Sequence, residues 1–376
     1  MNKHSRRVLL TGGAGFIGSH LAEALLRRGD ELTIVDCLDN FYSPSWKEDN
    51  LEVIKETGSY RFANVDICDK DALSKVIQQE QPEVVIHLAA RAGVRPSIEQ
   101  PSLYEQVNMA GTVNLLELCR KNRVGRFVFG SSSSVYGESS HAPFSESQLG
   151  LLPISPYAAT KLAGEMMCYT YAHLYQLPSV CLRFFTVYGP RQRPDLAIHK
   201  FTALIEAGKP IPVFGDGGSG RDFTFVGDIV AGVLAAIDYE MLAGHTTHTV
   251  NGNGNGHRNG SGNGNGSGNG NGNGSGNGNG NGNGYHKAVP FEVFNLGNSH
   301  PVKLRDLIGL LEEVIGRPAI RETHPFQPGD VPLTWADVSK AKRLLGYEPA
   351  TNLREGLAQF VTWYRTAGAG RRLVAS

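Results

Sequence analysis

The chain has 376 residues, 40% of them hydrophobic, and its formal net charge at pH 7 is zero. This length and composition predict one large domain or two of ordinary size, and the lack of a basic run argues against a nucleic-acid partner. No apolar run reaches the roughly 18 residues of a membrane span, and the five cysteines are scattered without metal-ligand spacing, so we expect a cytoplasmic protein with no metal site.

Short runs of Val, Ile and Leu alternate with helix-like patterns along the first half of the chain. We predict strands at Arg7–Thr11, Leu32–Asp36, Val84–Leu88, Phe127–Gly130 and Val180–Phe185. We predict helices at Ile17–Arg28, Ala72–Gln79, Val107–Lys121 and Tyr157–Tyr175. This alternation indicates βαβ units around a parallel sheet, and apolar runs without period-2 alternation indicate strands buried on both faces.

The pattern loosens after Gly189, where prolines and glycines mark loops. Further helices are predicted at Leu196–Ala207, Leu304–Ile315 and Leu353–Tyr364. We therefore expect an α/β fold in which residues 1–186 form a doubly wound parallel sheet. Segments near 223–240 and 291–297 are expected to return to this first domain. A smaller, partly interleaved C-terminal lobe is expected from residues 187–222 and 298–366.

Residues 251–284 consist almost wholly of Asn, Gly and Ser. Such a tract cannot bury enough apolar surface to offset its ordering entropy, so we predict that it is disordered. It lies between a helix-like run that ends near Tyr239 and a strand-like run at Phe291–Leu296, which makes it an insertion in a loop. Closing a loop of this length costs only about 2 kcal/mol more than closing a four-residue loop, so the fold tolerates it.

A glycine-rich turn joins the first predicted strand to the first predicted helix. Gly12, Gly15 and Gly18, with Phe16 and Ile17 between them, form the pattern G-x-x-G-x-x-G. Glycines here let the chain turn tightly and let backbone amides approach a pyrophosphate at the helix N-terminus. The position between a strand and a helix predicts a Rossmann-type dinucleotide site in the first domain.

Residues at the ends of the next strands are expected to contact the same dinucleotide. Asp36 can accept hydrogen bonds from the adenosine ribose and would repel a 2′-phosphate, so it favours NAD over NADP. Asp66 is expected to end a further strand and to face the adenine, with Ile67 beside it as another cofactor-binding residue. Ala89 and Ala90 are expected to end the strand at Val84–Leu88, where small side chains would let the cofactor lie close to the sheet.

Tyr157 and Lys161 are spaced i and i+4 on a predicted helix, so they share one face. A nearby ammonium favours the phenolate and is expected to lower the pKa of the tyrosine, which would then move a proton at neutral pH. The pair alone is weak evidence, since such spacing also arises by chance. A serine run, Ser131–Ser134, is expected to follow the strand at Phe127–Gly130, at the edge where ligands bind to an open α/β sheet.

Together these motifs resemble the extended short-chain dehydrogenase/reductase family, and within it the nucleotide-sugar epimerases. The resemblance runs from Arg7 to about Tyr364. It implies that Tyr157 is the proton-transferring base, that Lys161 holds the nicotinamide ribose, and that Ser132 hydrogen-bonds the reacting sugar hydroxyl. It also implies a homodimer formed through a pair of helices, here the predicted helices Val107–Lys121 and Tyr157–Tyr175.

Two positions narrow the reaction that the resemblance implies. Relatives that dehydrate the sugar carry Asp-Glu before Val-Tyr-Gly, and relatives that decarboxylate it carry Glu there. This chain has Ser133 and Ser134 instead. The resemblance therefore implies NAD-dependent epimerisation at C4 through a transient 4-keto sugar, with a dehydratase or decarboxylase, or a redox-sensing protein without turnover, as alternatives.

The substrate is expected to be a UDP-sugar. Arg221 resembles the family arginine that binds the substrate diphosphate, and Asp330 the residue near the nucleotide ribose. Thr186, Arg193, Ser133 and Ser134 resemble the branch that acts on UDP-glucuronate, where they would bind the sugar carboxylate. UDP-glucose and UDP-N-acetylglucosamine remain alternative substrates. The motifs Phe41-Tyr42 and Ala92–Arg95 also suit the uronate branch, but the spacing gives them no chemical role.

Overall fold

The computed structural model describes residues 5–138, 141–241, 288–325 and 331–366. The tract at 251–284, predicted to be disordered, lies outside the described residues, as does Asp330. No helix in the described part of the chain has the length and apolar character needed to cross a membrane.

A seven-stranded sheet forms the centre of the fold. The described residues contain, in chain order, strands β1 (Arg7–Thr11), β2 (Glu31–Val35), β3 (Arg61–Ala63), β4 (Val84–His87), β5 (Arg126–Ser132), β6 (Ser179–Phe184), β7 (Thr186–Tyr188), β8 (Ile211–Phe214), β9 (Gly220–Phe225), β10 (Phe291–Leu296), β11 (Pro301–Lys303) and β12 (Arg321–His324). The central sheet has the order β10-β6-β5-β4-β1-β2-β3, and all its pairs are parallel. The strand order reverses beside β1, which opens a crevice at the carboxyl ends of β1 and β4.

Helices cover both faces of this sheet. The helices of the described residues, including those of a second core outside this sheet, are α1 (Phe16–Arg28), α2 (Pro44–Thr57), α3 (Lys70–Glu80), α4 (Val94–Glu99), α5 (Pro101–Tyr104), α6 (Gly111–Lys121), α7 (Pro156–Tyr175), α8 (Ala197–Glu206), α9 (Val226–Asp238), α10 (Leu304–Ile315), α11 (Ser339–Leu345) and α12 (Leu353–Thr366). A π-helical turn at Glu105–Ala110 precedes α6, and a 3₁₀ turn at Ser133–Tyr136 follows β5.

Alternate residues of each central strand enter two separate cores. Val8 and Leu10 of β1 pack with α1 and α9 on one face, whereas Leu9 packs with α3 and α6 on the other. All three side chains are buried. Burial on both faces explains why the strands read as continuous apolar runs, and the predicted Rossmann-type α/β fold is confirmed.

A second, smaller core lies outside the central sheet. Side chains from α8, α10 and α12 pack there against β8 and β9, with Phe201, Leu307 and Phe360 among the buried residues. Two small sheets border this core: β7 pairs with β9 and β9 with β11, while β8 pairs with β12. The chain returns to the central sheet through β10, which pairs with β6. The division into lobes at residues 186, 222 and 298 stays a prediction.

Two differences from the sequence-based expectation bear on the cavity described below. Helix α2 was not predicted, because its sequence is largely polar and Leu51 and Ile54 are its only buried apolar residues. Ser131 and Ser132 were expected in a loop after the strand predicted at Phe127–Gly130, but they form the last two residues of β5, in register with Arg183 and Phe184 of β6. Because β5 pairs with β6 up to Ser132, both serines lie within the sheet, at the carboxyl end of β5.

Candidate active site

One cavity of about 950 Å³ opens at the carboxyl ends of the central strands and extends to the second lobe. Most of the residues that the sequence predicted for the site line this cavity: Gly12, Gly15, Phe16, Ile17, Gly18, Asp36, Asp66, Ile67, Ala89, Ala90, Ser132, Tyr157, Lys161, Thr186, Arg193 and Arg221. Ser133 and Ser134 do not line the cavity. Asp330 lies outside the described residues, so its expected role stays a prediction.

The glycine turn after β1 is shaped by contacts that leave no room for a side chain. Gly12 has a φ of +72°, and a Cβ there would lie 2.7 Å from the amide nitrogen of Ala89. A Cβ on Gly18 would lie 2.1 Å from the carbonyl oxygen of Gly12. The turn can therefore form only with glycine at these positions, and it brings the start of α1 against the end of β1. This is the cradle that a pyrophosphate requires.

Asp36 follows β2 and is buried at the edge of the cavity. Its carboxylate accepts hydrogen bonds from the amides of Ala14 at 3.2 Å and Leu38 at 2.9 Å. Burial raises its pKa, while the ammonium of Lys47, 4.0 Å away, acts in the opposite direction. The fixed carboxylate suits the hydroxyls of a ribose. Lys47 was missed because its helix, α2, gave no periodic signal.

Asp66 and the two alanines lie on the same side of the cavity as Asp36. Asp66 follows β3 by three residues, and its carboxylate accepts a hydrogen bond from the amide of Cys68 at 2.8 Å. Ala89 follows β4, and its amide donates to the hydroxyl of Thr11 at 3.2 Å. Small side chains at Ala89 and Ala90 thus line the cavity where β4 ends.

Tyr157 and Lys161 lie on the first turns of α7, which has a well-defined start. Ser155 caps the helix by accepting a hydrogen bond from the amide of Ala158 at 3.2 Å, and Pro156 occupies the first helical position. The ammonium of Lys161 donates to the carbonyl oxygen of Gly130 at 2.8 Å and lies 6.0 Å from the centre of the Tyr157 ring. The cap and the i, i+4 spacing therefore direct both side chains into the cavity.

The protonation of this pair differs from the expectation. Burial raises the pKa of Tyr157 above its ordinary value, and a side-chain hydrogen bond with Ser132 acts in the opposite direction. Burial also lowers the pKa of Lys161 to about 8. In this structure the ammonium of Lys161 therefore does not lower the pKa of Tyr157 as expected. The ammonium is bound to the Gly130 carbonyl, and desolvation of the phenol dominates.

The serine run divides into different environments. Ser132 donates to the hydroxyl of Ser134 at 3.1 Å and accepts from its amide at 3.2 Å, while its side chain also borders Tyr157. Ser131 turns away and donates to the buried carboxylate of Glu165 at 2.6 Å, which also binds Arg183. Only Ser132 of these two is therefore in position to meet a substrate near Tyr157.

The substrate end of the cavity carries several cations. Arg193 lines it and donates two hydrogen bonds to Asp195, at 2.9 and 2.7 Å. Arg221 of β9 lines it from the second lobe and donates to the carbonyl of Gly220 at 2.9 Å. Arg91 and Arg95 also line the cavity and were given no role from the sequence. Such a wall suits a ligand with several negative charges.

No group of three or more His, Cys, Asp or Glu side chains among the described residues is arranged to hold a metal ion. One cavity brings together the glycine turn, the side chains of Ser132, Tyr157 and Lys161, and a wall with several arginines. This arrangement suits proton transfer beside a dinucleotide.

Comparison with known proteins agrees with this geometry. Residues 8–250 match the model of the NAD dependent epimerase/dehydratase family. A UDP-glucuronate 4-epimerase from Thermodesulfobacterium geofontis is 38% identical over 356 residues, which cover 94% of this chain and 95% of that protein.

Two solved structures resemble the whole fold. The UDP-glucuronic acid 4-epimerase from Bacillus cereus, in complex with UDP-glucuronic acid and NAD, is 35% identical, with a TM-score of 0.78 over 96% of this chain and 99% of that one. The UDP-glucose 4-epimerase from Thermotoga maritima with UDP-glucose is 30% identical, with a TM-score of 0.77 over the same shares of both chains. The chain therefore belongs to the NAD-dependent epimerase/dehydratase family.

Proposed function

We propose that this protein is an NAD-dependent 4-epimerase of a UDP-sugar and that its substrate is UDP-glucuronate, which it interconverts with UDP-galacturonate. The observation that carries the proposal is the meeting of Ser132, Tyr157 and Lys161 with the glycine turn in a single cavity. The relatives that bind UDP-glucuronic acid and NAD support the same reaction.

The residues present suit NAD. The turn at Gly12 and Gly18 leaves no room for side chains, so a pyrophosphate could approach the backbone. The carboxylate of Asp36 is fixed by two backbone amides. Asp36 would therefore hold the adenosine ribose and repel a 2′-phosphate. Lys161 would hold the nicotinamide ribose. When bound, NAD accepts a hydride from the sugar carbon and later returns it.

Tyr157 is proposed to take the proton of the C4 hydroxyl and later to return a proton to the same oxygen. Ser132 borders Tyr157 and would hydrogen-bond that oxygen. Desolvation favours the neutral form of Tyr157, so the ammonium of Lys161 must approach the phenol to favour the phenolate. Release of Lys161 from the Gly130 carbonyl would permit this approach.

The choice of a uronate rests on the cavity wall. Arg193 offers a guanidinium and Thr186 a hydroxyl on the same cavity, and both groups suit a carboxylate. A neutral sugar would offer no negative charge to the guanidinium of Arg193, whose side chain is 17% exposed. The fold does not discriminate, since the likeness to the UDP-glucose 4-epimerase is nearly equal. Ser133 and Ser134 stay candidates for a substrate-bound form, since they do not line the cavity here.

The proposed oligomeric state is a homodimer through α6 and α7. Helix α7 packs on α6 and carries four exposed large apolar side chains: Met166, Tyr169, Leu174 and Tyr175. A second copy of the chain could bury part of this apolar surface. Light scattering is expected to give twice the chain mass, and the pair Met166→Glu and Leu174→Glu is expected to give monomers. A wild-type monomer at all concentrations would exclude this dimer.

The activity is tested by incubating the purified chain with UDP-glucuronate, UDP-glucose and UDP-N-acetylglucosamine and following the C4 configuration by NMR. We expect conversion of UDP-glucuronate to the galacto form at a higher kcat/KM than either neutral sugar. Release of CO₂, or accumulation of a 4-keto-6-deoxy sugar, would instead identify a decarboxylase or a dehydratase. Faster turnover of a neutral sugar would overturn the choice of substrate.

A further inference from the structure

Two arginines on the cavity wall, each paired with an aspartate, flank one aromatic ring. Asp39 accepts a hydrogen bond from Arg91 at 2.8 Å, and the guanidinium carbon of Arg91 lies 5.7 Å from the centre of the Phe41 ring. The guanidinium carbon of Arg193 lies 5.3 Å from the same ring centre, and Asp195 holds the far side of Arg193. All five side chains line the cavity.

The backbone beside Arg193 is fixed independently of this ring. The neighbouring Arg191 reaches back to helix α1, where it forms an ion pair with Glu23 and contacts His20. Gln192 is buried and donates to the carbonyl of Val187 at 3.1 Å. The position of Cα at residue 193 is thus set by buried contacts, and what remains variable is the course of its long side chain.

Asp195 and Phe41 restrict that side chain in different ways. Asp195 occupies the Nε and Nη2 edge of the guanidinium. Among the residues that the structure describes, Nη1 of Arg193 has no hydrogen-bond partner. The Phe41 ring attracts the guanidinium by a cation–π interaction and occupies space that other rotamers would need. The guanidinium therefore retains one unused edge, which matches the two oxygens of a carboxylate.

We propose that Phe41, itself held by the Asp39–Arg91 ion pair, is a positioning residue that fixes Arg193 for the carboxylate of a hexuronate. By this placement it makes the site prefer a UDP-uronate over a neutral UDP-hexose. The inference rests on the proposed function and adds a residue through which its specificity is set. Its physical basis is preorganisation, since the rotamer entropy of Arg193 is lost before the ligand arrives.

A different role for the loop that carries Phe41 would be to cover bound NAD, since Asp36 and Phe41 line the same cavity. The two roles have different consequences. A cover for NAD would affect cofactor retention and all substrates alike, whereas a device that positions Arg193 affects only ligands with a carboxylate. Phe41→Leu separates them, since leucine keeps apolar bulk and removes the ring.

The test measures binding of UDP-glucuronate and UDP-glucose to the NAD-loaded full chain by calorimetry. In Phe41→Leu, Kd for UDP-glucuronate is expected to rise about fivefold to twentyfold, and Kd for UDP-glucose to change by less than about twofold. Phe41→Tyr keeps the ring and is expected to restore the preference. Phe62→Leu, at a phenylalanine that is 39% exposed on β3, is the matched control.

A double-mutant cycle shows whether Phe41 acts through Arg193. In an Arg193→Met background, Phe41→Leu is expected to cause no further loss of uronate binding. The inference is overturned if both sugars weaken equally, if Phe41→Leu loses NAD, or if its effect persists without Arg193. These outcomes concern binding preference, so they are read separately from turnover. A wild-type chain that binds UDP-glucuronate but does not epimerise it contradicts the proposed function alone.

Discussion

The ammonium of Lys161 donates a hydrogen bond to the carbonyl oxygen of Gly130 at 2.8 Å, at a point where the lysine is 5% exposed. Burial lowers the pKa of this lysine from about 10.5 to about 8. Between these two pH values the unfolded chain binds a proton that the folded chain does not. The buried ammonium of Lys161 therefore lowers the free energy of unfolding by its full amount below pH 8. It lowers that free energy by less as the pH rises toward 10.5.

We accordingly predict that Lys161→Met loses turnover and yet gains stability near neutral pH. The comparison uses protein freed of NAD. The free energy of unfolding of Lys161→Met is expected to exceed that of wild type, and this excess is expected to decrease by about 2 kcal/mol from pH 7.5 to pH 9.5. Urea unfolding at several pH values measures this, with Lys55→Met at an exposed lysine as the control. A pH-independent difference would contradict the buried-charge explanation.

His87 gives a second prediction about pH. It lies fully buried at the end of β4, and its ring nitrogens are hydrogen-bonded to the hydroxyls of Thr11 at 2.8 Å and Thr112 at 2.9 Å. Burial lowers the pKa of His87 from 6.5 to about 3. Between pH 3 and pH 6.5 the folded chain therefore keeps this histidine neutral, whereas the unfolded chain protonates it. The contribution of His87 to the free energy of unfolding is complete above pH 6.5 and is lost as the pH drops toward 3.

The contribution of His87 is expected to be about 1.4 kcal/mol per pH unit between pH 6 and pH 4. His87→Gln is expected to remove this part of the slope of unfolding free energy against pH. Guanidinium unfolding followed by circular dichroism measures the slope, and His300→Gln, at an exposed histidine, is the control. An unchanged slope in His87→Gln would show that other groups cause the acid sensitivity.

The glycine turn is tested by a pair of matched substitutions. In Gly18→Ala the new methyl would lie 2.1 Å from the carbonyl oxygen of Gly12, so the start of α1 must shift away from β1. We expect bound NAD in the purified variant to fall to about a tenth or less of the wild-type content. Gly309→Ala in α10 meets no atom within 4 Å and is expected to retain NAD and to gain roughly 0.5–1 kcal/mol of stability. Normal NAD content in Gly18→Ala would contradict the assigned cradle.

The sequence was informative where a pattern is local. The alternation of buried strands with helices predicted six of the seven central strands to within three residues at either end, because strands with two buried faces are apolar throughout. Helix α2 was not predicted, because only four of its side chains are buried and two of those are polar. With it, Lys47 and Asn50, which support Asp36 and the glycine turn, were also missed.

Other parts of the site depend on contacts between distant segments. The stacking of Phe41 with Arg91 and Arg193 joins three loops, and no spacing in the sequence indicates it. The engagement of Ser131 by the buried Glu165 likewise depends on how α7 packs on β5. The pKa of Tyr157 was expected to be low from its spacing to Lys161, but burial, which the sequence does not give, dominates.

Proton transfer by Tyr157 at C4 of the sugar is the central step of the proposed function. Tyr157→Phe keeps the ring and removes only the hydroxyl. We predict that this variant purifies with a wild-type content of NAD and binds UDP-glucuronate, while its rate of C4 inversion, followed by NMR, falls by about 10²- to 10⁴-fold. Inversion at the wild-type rate in a variant that retains its NAD would contradict the central claim.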